Sequence, residues 1–374
     1  SDRYDARAWQ PGLYGQDTLK AGRVKLAAGL RYDRHSLSGT SVTSPYASIA
    51  FTPREGSRIE LDWGRYGQFA ELTQYGSRFA PAGGLAPQRS GHVDLLLEHR
   101  LDARTRVMIE LYDREDRDLL ARAALEPRLL ATGTVLDAQP EAAWGNTQRG
   151  YARGIQATVQ RRSANGFSGW ISYAYGRAIV HDALVPADFS SDYDQRHTVN
   201  AFLSRRLSPT INVSGQFAFG SGMPLPGFYE RAGSGYALTT ARNLLRAPVY
   251  QRTDVRLNKA FSRKHYDATL FAELINITNH TNEDFDSPGP YDRLTGQTKP
   301  TFFTMFPILL VAIFPGRSAT RYAIAVCQMA GRAGAASRRS RPPPTPAPRC
   351  RCATRRCGCG PPADWRPATA SSRS

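Results

Sequence analysis

Leu207-Ser208-Pro209-Thr210 is a short polar turn, and Ile211-Asn212-Val213-Ser214-Gly215-Gln216-Phe217-Ala218-Phe219-Gly220 follows it. Successive side chains of an extended chain point to opposite faces. Ile211, Val213, Phe217 and Phe219 therefore share one face, and Asn212, Ser214 and Gln216 share the other. About ten residues at this period is the length of a tilted strand that crosses a bilayer. The same pattern recurs on both sides. Ile59, Leu61 and Trp63 oppose Arg58, Glu60 and Asp62; Val107, Ile109 and Leu111 oppose Arg106, Glu110 and Tyr112; Val255 and Leu257 oppose Asp254, Arg256 and Asn258. Two segments alternate less cleanly and are expected to place Phe51 and Phe202 on the polar face.

The periodicity predicts twelve strands, at 20–33, 45–53, 57–67, 91–101, 105–114, 149–162, 166–177, 194–207, 210–220, 250–261, 267–277 and 302–313. Short turns join them at Pro53–Gly56, Leu101–Arg104, Ser163–Gly166 and Leu207–Thr210. Much longer connections run through Arg34–Ser44, Gln68–Ser90, Glu115–Gln148, Ser221–Val249 and Thr278–Thr301. Tracing the chain up and down puts every long loop on one side. A membrane barrel has such a difference between its rims, whereas a soluble sandwich has no reason for one. Tyr32, Trp63, Tyr66, Tyr112, Tyr173, Tyr175 and Phe219 fall near strand ends, where they would form interfacial girdles.

Composition agrees once it is divided. No apolar run reaches the length of a membrane-spanning helix, and Met305–Phe314, the longest, contains Pro307. A mean hydropathy of −0.44 is compatible with a barrel, whose strands hide their lipid face in alternation. The net charge of +17 comes largely from the segment after Phe314, with twelve Arg, no Lys and the single acid Asp364. Residues 1–314 mix 37 basic with 31 acidic side chains and gather no basic face, which argues against a nucleic-acid partner. All five cysteines, Cys327, Cys350, Cys352, Cys357 and Cys359, lie in that last segment. A thiol-free body suits an oxidising periplasm. Ser1-Asp2-Arg3-Tyr4 is not a signal peptide, so the chain reads as beginning inside a longer protein.

No catalytic, cofactor-binding or metal-binding residue is expected. His197 follows Asp194 and Arg196, but on a strand Asp194 and Arg196 share a side and His197 points away, which gives a structural role near the rim. Gly220-Ser221-Gly222 lacks the spacing of a nucleophile elbow. His35, His92, His99, His181, His265 and His280 are dispersed, without the paired spacing of a metal site. Cys350, Cys352, Cys357 and Cys359 have one-residue spacers, unlike the two-residue spacers of zinc ribbons. Asn276-Ile277-Thr278 and Asn279-His280-Thr281 match glycosylation sequons but read as turn formers. Ligand chemistry would sit on the long loops. One carries Asp116, Arg117, Asp118, Arg122, Glu126, Arg128 and Trp144; another carries Phe228, Tyr229, Glu230 and Tyr236. No one of them is singled out as a binding residue.

Five segments resemble, in order, the C-terminal barrel of TonB-dependent outer-membrane receptors, and most closely the Oar-like group with a carboxypeptidase-regulatory-like domain. They are Leu26–Asp33, Gly166–Gly176, Asp192-Tyr193-Asp194-Gln195-Arg196-His197-Thr198-Val199-Asn200, Tyr250–Arg256 and Phe271–Asn279. The resemblance implies an all-β transmembrane antiparallel β-barrel of twenty-two strands, of which this chain would supply about the last twelve. It implies a lead-in or loop over 1–18, barrel over 19–314 and a disordered Arg/Pro/Cys-rich tail over 315–374. The N-terminal plug and the TonB-contacting segment of the group are expected to be missing. By the same resemblance the partners would be outer-membrane lipid, TonB and the plug of the full-length protein, and a siderophore, glycan or peptide ligand. The usual aromatic C-terminal end is replaced by Arg/Ala/Pro/Gly/Cys sequence, which suggests a change of reading frame near codons 309–316. An outer-membrane adhesin or surface-matrix factor, and a soluble carbohydrate-binding β-sandwich, are the alternatives.

Overall fold

The computed structural model describes residues 7–315 and 322–328, apart from positions 123, 124, 186, 234, 265, 288, 290, 294 and 306. Fourteen strands follow one another through an antiparallel sheet, each pairing with the next, and a fifteenth short strand, Phe189–Ser190, joins it beside Ile179 and Val180. The first half of the fourteen comprises β1 (Gly12–Ala21), β2 (Val24–Arg34), β3 (Ser41–Phe51), β4 (Ser57–Gln68), β5 (Gln88–Arg100), β6 (Thr105–Arg122) and β7 (Trp144–Ala164). The second half comprises β8 (Phe167–Asp182), β9 (His197–Ser208), β10 (Ile211–Gly220), β11 (Tyr250–Arg263), β12 (Tyr266–Ile275), β13 (Leu309–Pro315) and β14 (Tyr322–Gln328). The one helix among the described residues is a single turn, Leu72–Gly76.

Register carries the sequence pattern across the whole sheet. Leu26, Ile49, Leu61, Leu95, Leu111 and Ile155 stand opposite one another from β2 to β7, forming one apolar row. Val107, Val159, Ile171, Ala201 and Phe217 continue a second row from β6 to β10. The other face holds Ser48, Asp62, Asp94 and Tyr112 in one row, and Asn212 opposite Asn258 in another. Side chains of the apolar rows stay open: Leu61 is 45% and Ile171 50% exposed. A β-sandwich would cover such a face with a second sheet. Among the described residues no second sheet is stacked on it, and every large side chain left in water forgoes about 1.5–3 kcal/mol of burial.

All short connections lie on one side, at 22–23, 52–56, 101–104, 165–166, 209–210 and 264–265, and all longer ones on the other. Asn165 and Gly166 both have positive φ, 52° and 74°, as a two-residue type I′ hairpin requires. The long connections carry small sheets of their own, including Tyr229–Ala232 against Gly235–Leu238.

Several expected boundaries move. The lead-in expected over 1–18 contains β1, and the segment expected at 20–33 is a hairpin turning at Gly22-Arg23, with Gly22 at φ 57°. Polar Gln16, Asp17, Thr18 and Lys20 mask the alternation of β1. The loop expected at Glu115–Gln148 is strand at both ends, because β6 runs on to Arg122 and β7 begins at Trp144. Register shifts between Asp116, Leu119 and Ala121 break the two-residue period there. The last strand, expected at 302–313, splits. Thr301–Thr304 pairs with Glu283–Ser287 within a long connection, and the sheet resumes at β13 beyond Pro307, which has no N–H to donate. β14 falls inside the expected tail and pairs with β13. The rest of that tail, with Cys350–Cys359, lies outside the described residues, as does His265. Phe51 stands opposite Val24 and Ile59 and so belongs to the apolar face, contrary to expectation. Phe202, opposite Trp170 and Gln216, stays on the polar one. Of the expected girdle, Tyr112 is on the polar face, over the bare backbone of Gly154 and Gly176, where any Cβ would come within 2.5 Å of its hydroxyl. Tyr66 packs on His92 of that same face, with ring centroids 4.9 Å apart.

Candidate functional site

Buried side chains gather in the long connections rather than between strands. Val185, Phe189 and Phe228 form an apolar cluster with Val180 packed against it. Polar groups are tied in around it. Arg242, from connection 221–249, reaches Asp192 at 2.6 Å and Glu126 at 3.2 Å, while its guanidinium lies 5.0 Å from the Phe189 ring centre. Burial alone would lower the Arg242 pKa, but Asp192 and Glu126 hold it above the ordinary value. Asn243 donates to the Ser190 carbonyl at 2.7 Å, and Arg128 to that of Leu184 at 3.0 Å. Three connections, 123–143, 183–196 and 221–249, are thus held in one arrangement.

Asp194 is the second anchor. Its side chain is fully buried; it accepts from Ala178 N at 2.7 Å, pairs with Arg196 at 2.6 Å and also pairs with Arg246. Burial pushes this carboxyl up, but the Ala178 N–H and the two guanidinium groups outweigh it and hold it below the usual range. Asp254 repeats the device: it pairs with Arg252 and accepts from Asn276 N at 2.9 Å. Beside Asp194 the polar face has a hollow of about 360 Å³ lined by Tyr112, Arg114, Asp116 and Asp194, left open because Gly150, Ala152, Gly176 and Ala178 are small.

The expected site residues separate clearly. His197 turns from the Asp194–Arg196 pair, meets the Tyr173 hydroxyl at 2.9 Å and stacks on that ring, with the Tyr175 ring tilted 5.2 Å away. Asn276 is 1% exposed at φ 53°, accepting from His280 N and donating to its carbonyl, so it shapes a turn. Phe228 and Tyr229 are buried, whereas Glu230 is exposed and Tyr236 half-buried in the small sheet. Burial pushes Tyr229 up to about 12, with the Glu126 carboxylate adding to this and Arg242 opposing it; its hydroxyl meets no hydrogen-bond partner among the described residues. Asp116 pairs with Arg114 on β6, Asp118 occupies a bulge at φ 57°, and Arg117 is exposed. Arg122 donates to the Ala142 carbonyl and stacks on Phe79, while Trp144 opens β7. Among the described residues, no group of three or more His, Cys, Asp or Glu could hold a metal ion. Sequence reasoning missed Arg242. It has no local signal, because Glu126 lies 116 residues away.

Comparison with known proteins places this arrangement. Residues 1–277 match the family described as TonB dependent receptor-like, beta-barrel. The outer membrane transporter YddB from Escherichia coli superposes with a TM-score of 0.59 at 12% identity, covering 82% of this chain and 45% of that one. The siderophore receptor PirA from Acinetobacter baumannii gives 0.56 at 15%, covering 73% and 42%. The FrpB iron transporter from Neisseria meningitidis gives 0.54 at 14%, covering 73% and 41%. The chain spans less than half the length of each of these, and at such identity the likeness concerns the fold alone. A sequence comparison with curated proteins gives no match. With the family match extending over most of its length, including β1 to β12, the chain belongs to the TonB-dependent receptor-like β-barrel family.

Proposed function

We propose that this chain lies in the bacterial outer membrane as wall and outer loops of a longer TonB-dependent receptor that takes up a scarce ligand such as a siderophore, glycan or peptide. The observation that carries this reading is the one-sided set of long connections, knitted by Arg242 and Asp194 above a polar face, on a sheet whose other face is apolar and open. The titles of the solved neighbours, an iron transporter and a siderophore receptor, support an iron-bearing ligand. β1 and β14 each pair with one neighbour among the described residues, and every residue of β1 is exposed. Open strand edges are heavily penalised in lipid, so further strands would complete the wall. A plug and a TonB-contacting segment would come from the longer protein, and the Oar-like group is the subgroup we favour. The change of frame near codons 309–316 belongs to the same proposal, and resequencing that stretch decides it.

The test is uptake of a radiolabelled ferric siderophore, with a glycan and a peptide in parallel, by cells carrying the receptor, with and without TonB. Uptake that needs both receptor and TonB is expected. Binding at the surface with no TonB-dependent uptake of any of the three would overturn import.

A further inference from the structure

On the face that carries the apolar rows, the rows end toward the long connections at Trp63, opposite Val93. Beyond them the same face turns basic. Arg65, Arg89, Arg117, Arg149, Arg153 and Arg177 all project there and are exposed. Arg89 stands directly opposite Arg117, and Arg153 directly opposite Arg177. Like charges at cross-strand positions are destabilising, and within the sheet only Arg153 and Arg117 of these pairs have an acidic neighbour. The nearby acids are mostly engaged. Arg153 holds Asp113 at 2.8 Å and Glu115 at 3.5 Å, Arg117 lies 4.0 Å from Glu115, and His181 meets Asp188 at 2.9 Å. Asp118, on the bulge at φ 57°, has no ion-pair partner among the described residues. Arg65, Arg89, Arg149 and Arg177 have no ion-pair partner among the described residues. Two adjoining grooves, of about 890 and 690 Å³, share Glu115, Arg117 and Asp118; Trp63 and Val93 line the first, and Tyr151 and Ile179 the second.

We propose that this basic ground, from Arg65 on β4 to Arg177 on β8, binds the phosphate groups of lipid headgroups at the outer surface of the membrane. The proposal rests on the membrane reading above. The ground is continuous with the apolar face, so a lipid whose tails lie on Leu61 and Leu95 would bring its headgroup to Arg65 and Arg89. Each groove joins apolar side chains to guanidinium groups, which suits the junction of tail and headgroup better than a free anion. Guanidinium forks match phosphate oxygens in pairs, and a basic residue near an anionic membrane surface attracts it appreciably.

The test uses the protein purified in detergent from its own membrane and placed in vesicles of phosphatidylcholine alone or with an equal part of phosphatidylglycerol. Lipid retained through a second detergent extraction is counted by native mass spectrometry. Preferential retention of phosphatidylglycerol is expected, weakening with salt. The Arg89→Gln, Arg149→Gln, Arg177→Gln triple variant should lower that preference about tenfold or more. Glu115→Gln, which frees Arg117 and relieves Arg153 of one partner, should raise it, so the two variants move in opposite directions and a folding defect cannot imitate both. Insertion into both vesicles with no preference, or a preference indifferent to both variants, would overturn the headgroup site and leave the membrane reading standing. Failure to insert into either would overturn both. Displacement of the lipid by inorganic phosphate at equal concentration would assign the ground to a free anion instead, against the proposal.

Discussion

Tyr229 is 1% exposed, and its hydroxyl has no hydrogen-bond partner among the described residues. A buried hydroxyl left unsatisfied forfeits about 1–3 kcal/mol. Tyr229→Phe is therefore expected to raise stability by about 1 kcal/mol, checked by the denaturation midpoint of the loop cluster. A lowered midpoint would show that the hydroxyl has a partner in solution. Asp194 makes the opposite kind of contribution. Because its folded pKa is depressed, its stabilisation is present above the ordinary carboxylate value of about 4 and is lost as pH falls through the folded pKa. Hydrogen-exchange protection of the Ala178 N–H, which donates to Asp194, should hold from neutral pH down to about 4 and fall in stronger acid. Protection that persists into strong acid would remove Asp194 from this role. The sequence placed Asp194 and Arg196 on one side of a strand beginning at 194; they do pair, but in the connection before β9, which begins only at His197. Sequence could not show Arg246 or Arg242 completing the clusters, since those contacts depend on how separate connections meet.

At the scale of the strand, register turns twelve separate alternations into continuous rows. Leu61 sits in mid-row with 45% exposure, which gives a sharp discriminant. In a bilayer Leu61→Arg should destabilise by about 2–4 kcal/mol, whereas on a water-exposed surface it would stay within about 0.5 kcal/mol. Unfolding in lipid vesicles measures the difference, and a near-zero value would argue that this face does not meet lipid. Strands such as β10 and β4 were legible because apolar residues recur at alternate positions, Ile211, Val213, Phe217 and Phe219 in one and Ile59, Leu61 and Trp63 in the other. The upper parts of β6 and β7 were not. At a rise of about 3.3 Å per residue, 18 to 21 residues far exceed a bilayer crossing. Their ends carry charge on both faces, so the alternation that marks a lipid-facing strand is gone although the hydrogen-bonded ladder continues. Phe51 was misplaced for a related reason: near a turn, a one-residue error in the boundary exchanges the faces.

For the whole molecule, the apolar face and the one-sided connections lead to the same physical expectation. The protein should resist extraction by high salt or carbonate and pass into solution only with detergent, as immunoblots of the fractions would show. Recovery in the aqueous fraction would contradict the membrane reading. At this scale the fold class was readable from the turn-and-loop rhythm alone, while β1 and β14 were not, because neither has a clean alternation of its own.

Arg242 joins Glu126 and Asp192, residues of three different outer connections, at a single guanidinium group. Surface loops usually diverge one at a time, each free to change its length and chemistry. Here a change in any one of the three would strand a charge belonging to another, so the loops inherit variation as a set. Among natural variants of this chain, positions 126, 192 and 242 should therefore be exchanged together or not at all, and the long connections should diversify by replacing whole loop assemblies.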